Sequence, residues 1–152
     1  MIDTHCHLTF PDFQPDAADP MAGVAAELAE CGRLGVTGCI TISTTTSDCL
    51  DALAIAKRFD NVWCTSGVHP LYSAASDDRP RAEPVHQWGN LRTVAMDRKC
   101  VAWGELGLDN HYPEPAPAVQ RAVLHEQLAF IGGVHREMAG KPRFPLPIVL
   151  HC

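Results

Sequence analysis

Two histidines two residues apart, His5 and His7, close the apolar start Met1-Ile2-Asp3-Thr4-His5-Cys6-His7. Alternate side chains of an extended strand share a face, so both imidazoles project to one side and Cys6 to the other. Neutral imidazole is the commonest metal ligand among side chains, and two converging on one point leave positions open for a water or a substrate oxygen. The bland alternative is a solvated surface pair, so the doublet gains weight only from where other ligating residue types fall. His69 follows the third apolar run in Gly67-Val68-His69-Pro70, Glu105 follows the fourth, and His151 ends the fifth. Histidine with glutamate suits zinc, manganese or similar ions, and the two oxygens of a glutamate can bridge a pair of them. Such a pair can activate water and hold both oxygens of a phosphodiester displacement.

The elements that must position these residues follow from the pattern of apolar runs. Met1 to His5, Val36 to Ile42, Val62 to Ser66, Val101 to Gly104 and Ile148 to His151 are short, rich in Val, Ile, Cys or Trp, and not cleanly alternating. That is the pattern of parallel strands covered on their faces by helices. Between them lie segments of helical period. Asp19-Pro20 offers an N-cap and a first-turn proline for a helix to about Leu34. Ser47 caps the next, which Asn61 ends, with Leu50, Leu53 and Ala54 on one face. Pro84 opens a third, with Val85, Trp88, Leu91 and Val94 three apart. Pro117 opens a fourth, whose stripe is Val119, Val123, Leu124, Leu128, Ile131 and Met138. Strand, helix and strand in alternation with right-handed crossovers predict an α/β parallel sheet. No Gly-rich dinucleotide fingerprint follows the first strand. The candidate residues instead collect at strand C-terminal ends, the functional rim of a (β/α) barrel.

Composition narrows the classes. A chain of 152 residues predicts one domain, and a formal net charge of -6 argues against a basic surface gripping nucleic acid by charge alone. A bound divalent ion reverses that sign locally. The seven cysteines contain no C-x-x-C pair, so they read as small hydrophobes of a reducing compartment rather than disulfides or zinc knuckles. With no basic, apolar leader and no apolar stretch near ~18 residues, the expectation is a cytoplasmic protein with no membrane association and no obligate protein partner.

Several strings resemble successive motifs of TatD-type metal-dependent deoxyribonucleases, and they occur in the same order. They are Asp3-Thr4-His5-Cys6-His7-Leu8, Gly67-Val68-His69-Pro70, Gly104-Glu105-Leu106-Gly107-Leu108-Asp109, Gln127-Leu128-Ala129 and Leu146-Pro147-Ile148-Val149-Leu150-His151-Cys152. The resemblance spans the chain, and the Gly104 to Asp109 string is its most specific part. It implies a (β/α)8 TIM-type barrel of the amidohydrolase kind and a metal-dependent hydrolase acting on DNA phosphodiester bonds. It further implies that His5 and His7 bind one of two divalent ions (Zn, Mg or Mn), that Glu105 bridges both and is the catalytic carboxylate, and that His151 binds the second. His69 and Asp109 are then substrate-binding candidates. Two alternatives stand beside this: a related hydrolase of a small ester, lactone or amide, and a fragment without activity.

The chain also departs from the pattern. It stops one residue after His151, where the family continues with another histidine ligand and a late aspartate. Thr9 stands where aspartate is frequent, and Leu71 where a second histidine is. A closed barrel takes ~250 residues. The expectation is therefore one domain over 1–152, incomplete at its C-terminal end and lacking strands 6–8. Its five parallel strands should form an open half-barrel in chain order, with apolar edges at both ends and weak metal binding and turnover. Asp3 is expected to orient a ligand or satisfy backbone donors. His111 is a lesser candidate, and His86, His125 and His135 are expected to be solvated. Arg79, Arg81, Lys141 and Arg143 lie where they could meet phosphate.

Overall fold

The computed structural model describes residues 1–13, 19–75 and 83–152. The strands are β1 (Ile2–Cys6), β2 (Gly38–Thr41), β3 (Val62–Ser66), β4 (Cys100–Gly107) and β5 (Ile148–His151). The helices between them are α1 (Pro20–Arg33), α2 (Asp48–Arg58), α3 (Trp88–Met96) and α4 (Pro117–Glu137), with single 3-10 turns at Pro11–Phe13 and Pro70–Tyr72. All neighbouring strands pair in parallel, in the order β1-β2-β3-β4-β5. The expected strand order is thus the observed one, and among the described residues β1 and β5 each pair on one side only. Both edges expose apolar side chains: Ile2 on β1, and Ile148 and Leu150 on β5.

The core lies between the sheet and its helices. Val24 of α1, Ala52, Ile55 and Ala56 of α2, Leu91, Val94 and Ala95 of α3, and Ile131 and Val134 of α4 meet Cys39, Val62, Cys64, Cys100, Trp103 and Leu106 from the strands. All seven cysteines are free thiols, four of them buried, so they fill volume as small hydrophobes. The fully buried Trp103 is also hydrogen-bonded: its Nε1 donates to His135 Nε2 at 2.8 Å. His135 is therefore a structural acceptor rather than a solvated histidine, and burial lowers its pKa. His86 likewise turns inward, 3.2 Å from the Ser73 carbonyl, whereas His125 is exposed as expected.

Several expected boundaries shift for identifiable reasons. Ser47 makes no side-chain cap; the α2 N-terminus is served by Thr45 Oγ1, which accepts from Asp48 N at 3.0 Å. Asp48 and Asp51 in the first turn and Lys57 and Arg58 in the last complement the α2 dipole. α3 starts at Trp88 and not at Pro84, because the preceding segment is tied back to Thr46. Glu83 accepts from Thr46 N at 2.9 Å, Gln87 N donates to Thr46 Oγ1 at 2.8 Å, and Val85 is left exposed. On α4 the expected stripe holds in part: Ile131 is buried and Leu124 and Met138 pack against the core, but Val119 and Leu128 are exposed, and Gln120, Gln127 and Val134 are buried instead. Apolarity misled here because two buried positions are amides whose oxygen and nitrogen are both hydrogen-bonded to backbone. Gln127 brackets Val68, accepting from its N–H at 2.7 Å and donating to its carbonyl at 3.2 Å. Gln120 accepts from Asp109 N at 2.8 Å and donates to the carbonyls of Asp109 and Pro115 at 3.0 and 2.7 Å. One helix thus tethers the loops carrying His69 and Asp109.

β4 runs through Glu105 to Gly107, beyond the expected end at Gly104. Gly104 and Gly107 read as strand breakers, but they mark close approach of backbones. A Cβ on Gly104 would stand 2.6 Å from the Val149 carbonyl oxygen, and one on Gly107 would stand 2.1 Å from that of His151. Register shifts interrupt the β1–β2 ladder between Asp3 and Cys6 and the β4–β5 ladder between Trp103 and Leu106. These irregularities bracket His5 and Glu105, where re-aimed side chains are needed.

Candidate metal centre

Glu105 stands at the middle of the strand-end rim. Its side chain is 7% exposed, and its two oxygens face different neighbours. Oε2 lies 3.1 Å from His5 Nε2, while Oε1 lies 2.6 Å from His151 Nδ1 and 3.9 Å from His69 Nε2. Ligating atoms of His5, His7 and Glu105 fall within 4.8 Å of one another, and so do those of His69, Glu105 and His151. The rim therefore brings together His5, His7, Glu105 and His151, and adds His69 to the second group.

Hydrogen bonds fix which nitrogen of each ring is spoken for. His7 Nδ1 lies 3.0 Å from the Ile42 carbonyl, which can only accept, so Nδ1 carries the proton and Nε2 keeps its lone pair. His151 faces a carboxylate at each nitrogen, Nε2 at 3.1 Å from Asp109 Oδ2 and Nδ1 at 2.6 Å from Glu105 Oε1, so with a cation between Nδ1 and Glu105 the ring proton would sit on Nε2 toward Asp109. His69 is the opposite case. Its Nδ1 accepts from Leu71 N at 3.1 Å, so the neutral ring carries its proton on Nε2, facing Glu105 and His151. Burial lowers the His69 pKa to about 4, more than the neighbouring Glu105 raises it, so the ring is neutral near pH 7.

Asp109 is spent on positioning. Burial raises its pKa, and the backbone N–H groups of His111 and Tyr112 (2.8 and 3.2 Å to Oδ1) together with His151 more than offset this, holding the carboxyl below the usual range. It reaches the rim through His151. Asp3 satisfies a backbone donor, with Oδ1 accepting from His5 N at 2.9 Å. His111 lies exposed just beyond, lining with Asp109, Asn110, His151 and Cys152 a cavity of about 210 Å³. Cys6 faces away from the rim, its thiol 3.4 Å from the Ile40 carbonyl. Arg143 does not reach the rim: it donates to the carbonyls of Asp97 and Cys100 at 2.8 and 2.5 Å. Lys141 is exposed, and Arg79 and Arg81 lie outside the described residues.

The chemistry of this donor set fits a cation. Among the described residues the ion-pair partners of Glu105 are all imidazoles, with no lysine or arginine against it. A buried carboxylate without a permanent positive partner is costly, and a divalent ion held by imidazole nitrogens and carboxylate oxygens removes that cost. Sequence reasoning missed supports: the segment after β2 from Ile42 to Thr44, which touches three of these residues, and Gln120; Gln127 stood in a motif string, but without its role of bracketing Val68. The run Thr41-Ile42-Ser43-Thr44-Thr45-Thr46-Ser47 was the available signal, since so many hydroxyls after an apolar strand must find buried partners.

Comparison with known proteins follows the same lines. A model of the TatD related DNase family matches residues 2–152. The 3'-5' ssDNA/RNA exonuclease TatD of Enterobacter lignolyticus is 32% identical over 152 residues, which is 100% of this chain and 49% of that protein. The uncharacterized metal-dependent hydrolase YjjV of Escherichia coli K12 is 30% identical over 150 residues, 99% of this chain and 49% of that one. The crystal structure of YjjV superposes with a TM-score of 0.68 at 29% identity, covering 99% of this chain and 50% of that chain. The chain spans about half the length of the curated relatives it matches. Its curled parallel sheet with outer helices is part of a (β/α) barrel. Among the described residues no helix is long and apolar enough to cross a membrane.

Proposed function

The chain belongs to the TatD related DNase family, and on that premise we propose that its strand-end rim is the metal-binding part of a hydrolase acting on DNA phosphodiester bonds. In this reading residues 1–152 form one domain carrying the first five strands of an eight-stranded barrel. The observation that carries the proposal is the division of Glu105, with one oxygen toward His5 and the other toward His151. His5 and His7 would hold one divalent ion, His151 a second, and Glu105 both. Ions held there would supply a lowered pKa for a bound water and stabilisation of negative charge on the departing oxygen.

The remaining residues act on orientation and protons. The Ile42 carbonyl and the Asp109 carboxylate keep the protons of His7 and His151 on the far nitrogens, leaving lone pairs toward the rim. His69 differs, because its inward nitrogen bears a proton. It serves as a hydrogen-bond donor to an anionic substrate oxygen rather than as a ligand, which keeps it in a substrate-binding role. Asp109 acts on substrate only through His151.

The test is uptake of Mn²⁺ by the purified chain, read beside cleavage of an end-labelled single-stranded oligodeoxynucleotide, for the parent and for Glu105→Gln. The variant should lose cleavage and bind Mn²⁺ at least ten-fold more weakly. Equal uptake and equal cleavage in the two proteins would overturn the proposal. Cleavage of a small ester without cleavage of the oligonucleotide would move the substrate away from DNA.

A further inference from the structure

We propose that Ser43 is the positioning residue of this centre, its hydroxyl locking the β2 end in the one place from which three successive carbonyls hold His7, Glu105 and His69. The inference rests on the reading above, and it concerns a strand end that supplies no ligand of its own. The Ile42 carbonyl lies 3.0 Å from His7 Nδ1, the Ser43 carbonyl accepts from Glu105 N at 3.3 Å, and the Thr44 carbonyl accepts from His69 N at 3.0 Å. Beyond Thr41 the segment is no longer regular strand, and its carbonyls reach β1 on one flank, at Ile42, and the ends of β3 and β4 on the other, at Thr44 and Ser43, so one short piece of backbone sets the spacing of three site residues.

What holds that piece is its side chains. Ser43 is fully buried, with Oγ accepting from Gly67 N at 3.0 Å and lying 3.3 Å from the carbonyls of both Gly67 and Gly104. It can donate to either. Gly104 immediately precedes Glu105, so the hydroxyl and the carbonyl of one residue contact the C=O and the N–H of the peptide that carries the central carboxylate. Flanking residues close the frame. Ile42 N donates to the Cys6 carbonyl at 2.7 Å, Leu8 N donates to Thr41 Oγ1 at 3.1 Å, and Thr44 N donates to Asp48 Oδ2 at 2.7 Å. A hydroxyl that only satisfied local backbone would touch one strand. This one joins β2 to the ends of β3 and β4 where His69 and Glu105 begin.

The experiment compares Ser43→Ala with Ser66→Ala in the full chain. Ser66 is an equally buried hydroxyl whose Oγ donates to the Leu91 carbonyl at 2.9 Å, on the helix side and away from the rim. Both variants should melt lower. Only Ser43→Ala should bind Co²⁺ about ten-fold more weakly, alter the visible spectrum of the bound ion, and shift the imidazole ¹H–¹⁵N resonances of His7 and His69 in metal-free protein. If Ser43→Ala keeps parental cobalt affinity, spectrum and imidazole resonances, or if Ser66→Ala changes them equally, the positioning role is overturned. If the parent and Glu105→Gln take up cobalt alike, the metal reading fails by itself, and the metal-free imidazole spectrum still decides the part played by Ser43. Should Ser43→Ala not fold, Ser43→Cys, with a weak donor of similar shape, is read by the same imidazole shifts: resonances that move support the role, and resonances identical to the parent overturn it.

Discussion

Replacing Gly67 by alanine tests how tightly the rim is held by backbone contact. A Cβ at this position would stand 2.6, 2.7 and 2.8 Å from Cα, C and N of Gly104, at least ~0.8 Å short of ordinary carbon–carbon contact. The obstacle is backbone in the middle of a sheet, so neither rotamer change nor a surface shift relieves it. Overpacking of this kind costs about 1–3 kcal/mol, which for a domain of this size lowers the melting temperature by roughly 2–12 °C. The same displacement moves the residue before Glu105, whose contacts to His151 and His5 are 2.6 and 3.1 Å. Cobalt affinity should fall about ten-fold, the scale of a lost ligand support. Gly89→Ala is the control: nothing lies within 4 Å of its added Cβ, and alanine in α3 gains roughly 0.5–1 kcal/mol. Differential scanning calorimetry and cobalt titration measure both variants. A Gly67→Ala protein that melts with the parent and binds cobalt equally would refute the claim that β3–β4 contact sets the carboxylate.

Three further outcomes are expected. With its pKa lowered to about 4 by burial, His69 binds a proton less readily in the folded chain than in the unfolded one, which titrates near ~6.5. Stability should therefore fall as pH drops from ~7 to ~4, by at most about 3 kcal/mol from this residue, and stay level with respect to it below that. Urea midpoints across this range should lose that part of their slope in His69→Gln. Asp109→Asn retains an acceptor for the His111 and Tyr112 N–H groups but releases the ring proton of His151, so it should fold and yet bind cobalt about ten- to a hundred-fold more weakly. Leu150, 66% exposed on the β5 edge, makes Leu150→Lys the test of edge pairing: size-exclusion profiles of the parent should shift with concentration, and those of the variant should shift less.

Much of the fold was legible because parallel strands under helices leave a plain signature. β3 and β5 lie at their expected boundaries, and the order of the sheet follows chain order. Elements that bury polar groups were harder to read. The inward face of α4 carries Gln120 and Gln127, and hydrophobic periodicity cannot see an amide that is hydrogen-bonded inside. β4 was cut short because glycine usually ends a strand, whereas Gly104 and Gly107 continue it at close quarters with β5. At the rim, spacing and residue type were enough to bring His5, His7, Glu105 and His151 into view. The proton positions that separate His69 from the other histidines depend on the Leu71 amide, the Ile42 carbonyl and Asp109. No spacing rule reaches contacts of that kind.

The distribution of these residues over the sheet bears on its motions. His5 and His151 belong to β1 and β5, which among the described residues pair on one flank only, whereas Glu105 belongs to β4, which is paired on both sides. Amide exchange should accordingly be fastest along β1 and β5 and slowest in β3 and β4, a gradient of local opening rather than one cooperative event. An ion gripped at once by the outer histidines and the inner carboxylate would resist opening at both flanks, since every such opening would have to release it. Deuterium uptake at the amides of Thr4 to Cys6 and of Val149 to His151 should then slow together on loading with cobalt, while that of Thr65 and Ala102 hardly changes. The sheet would report occupancy of the rim through the breathing of its margins.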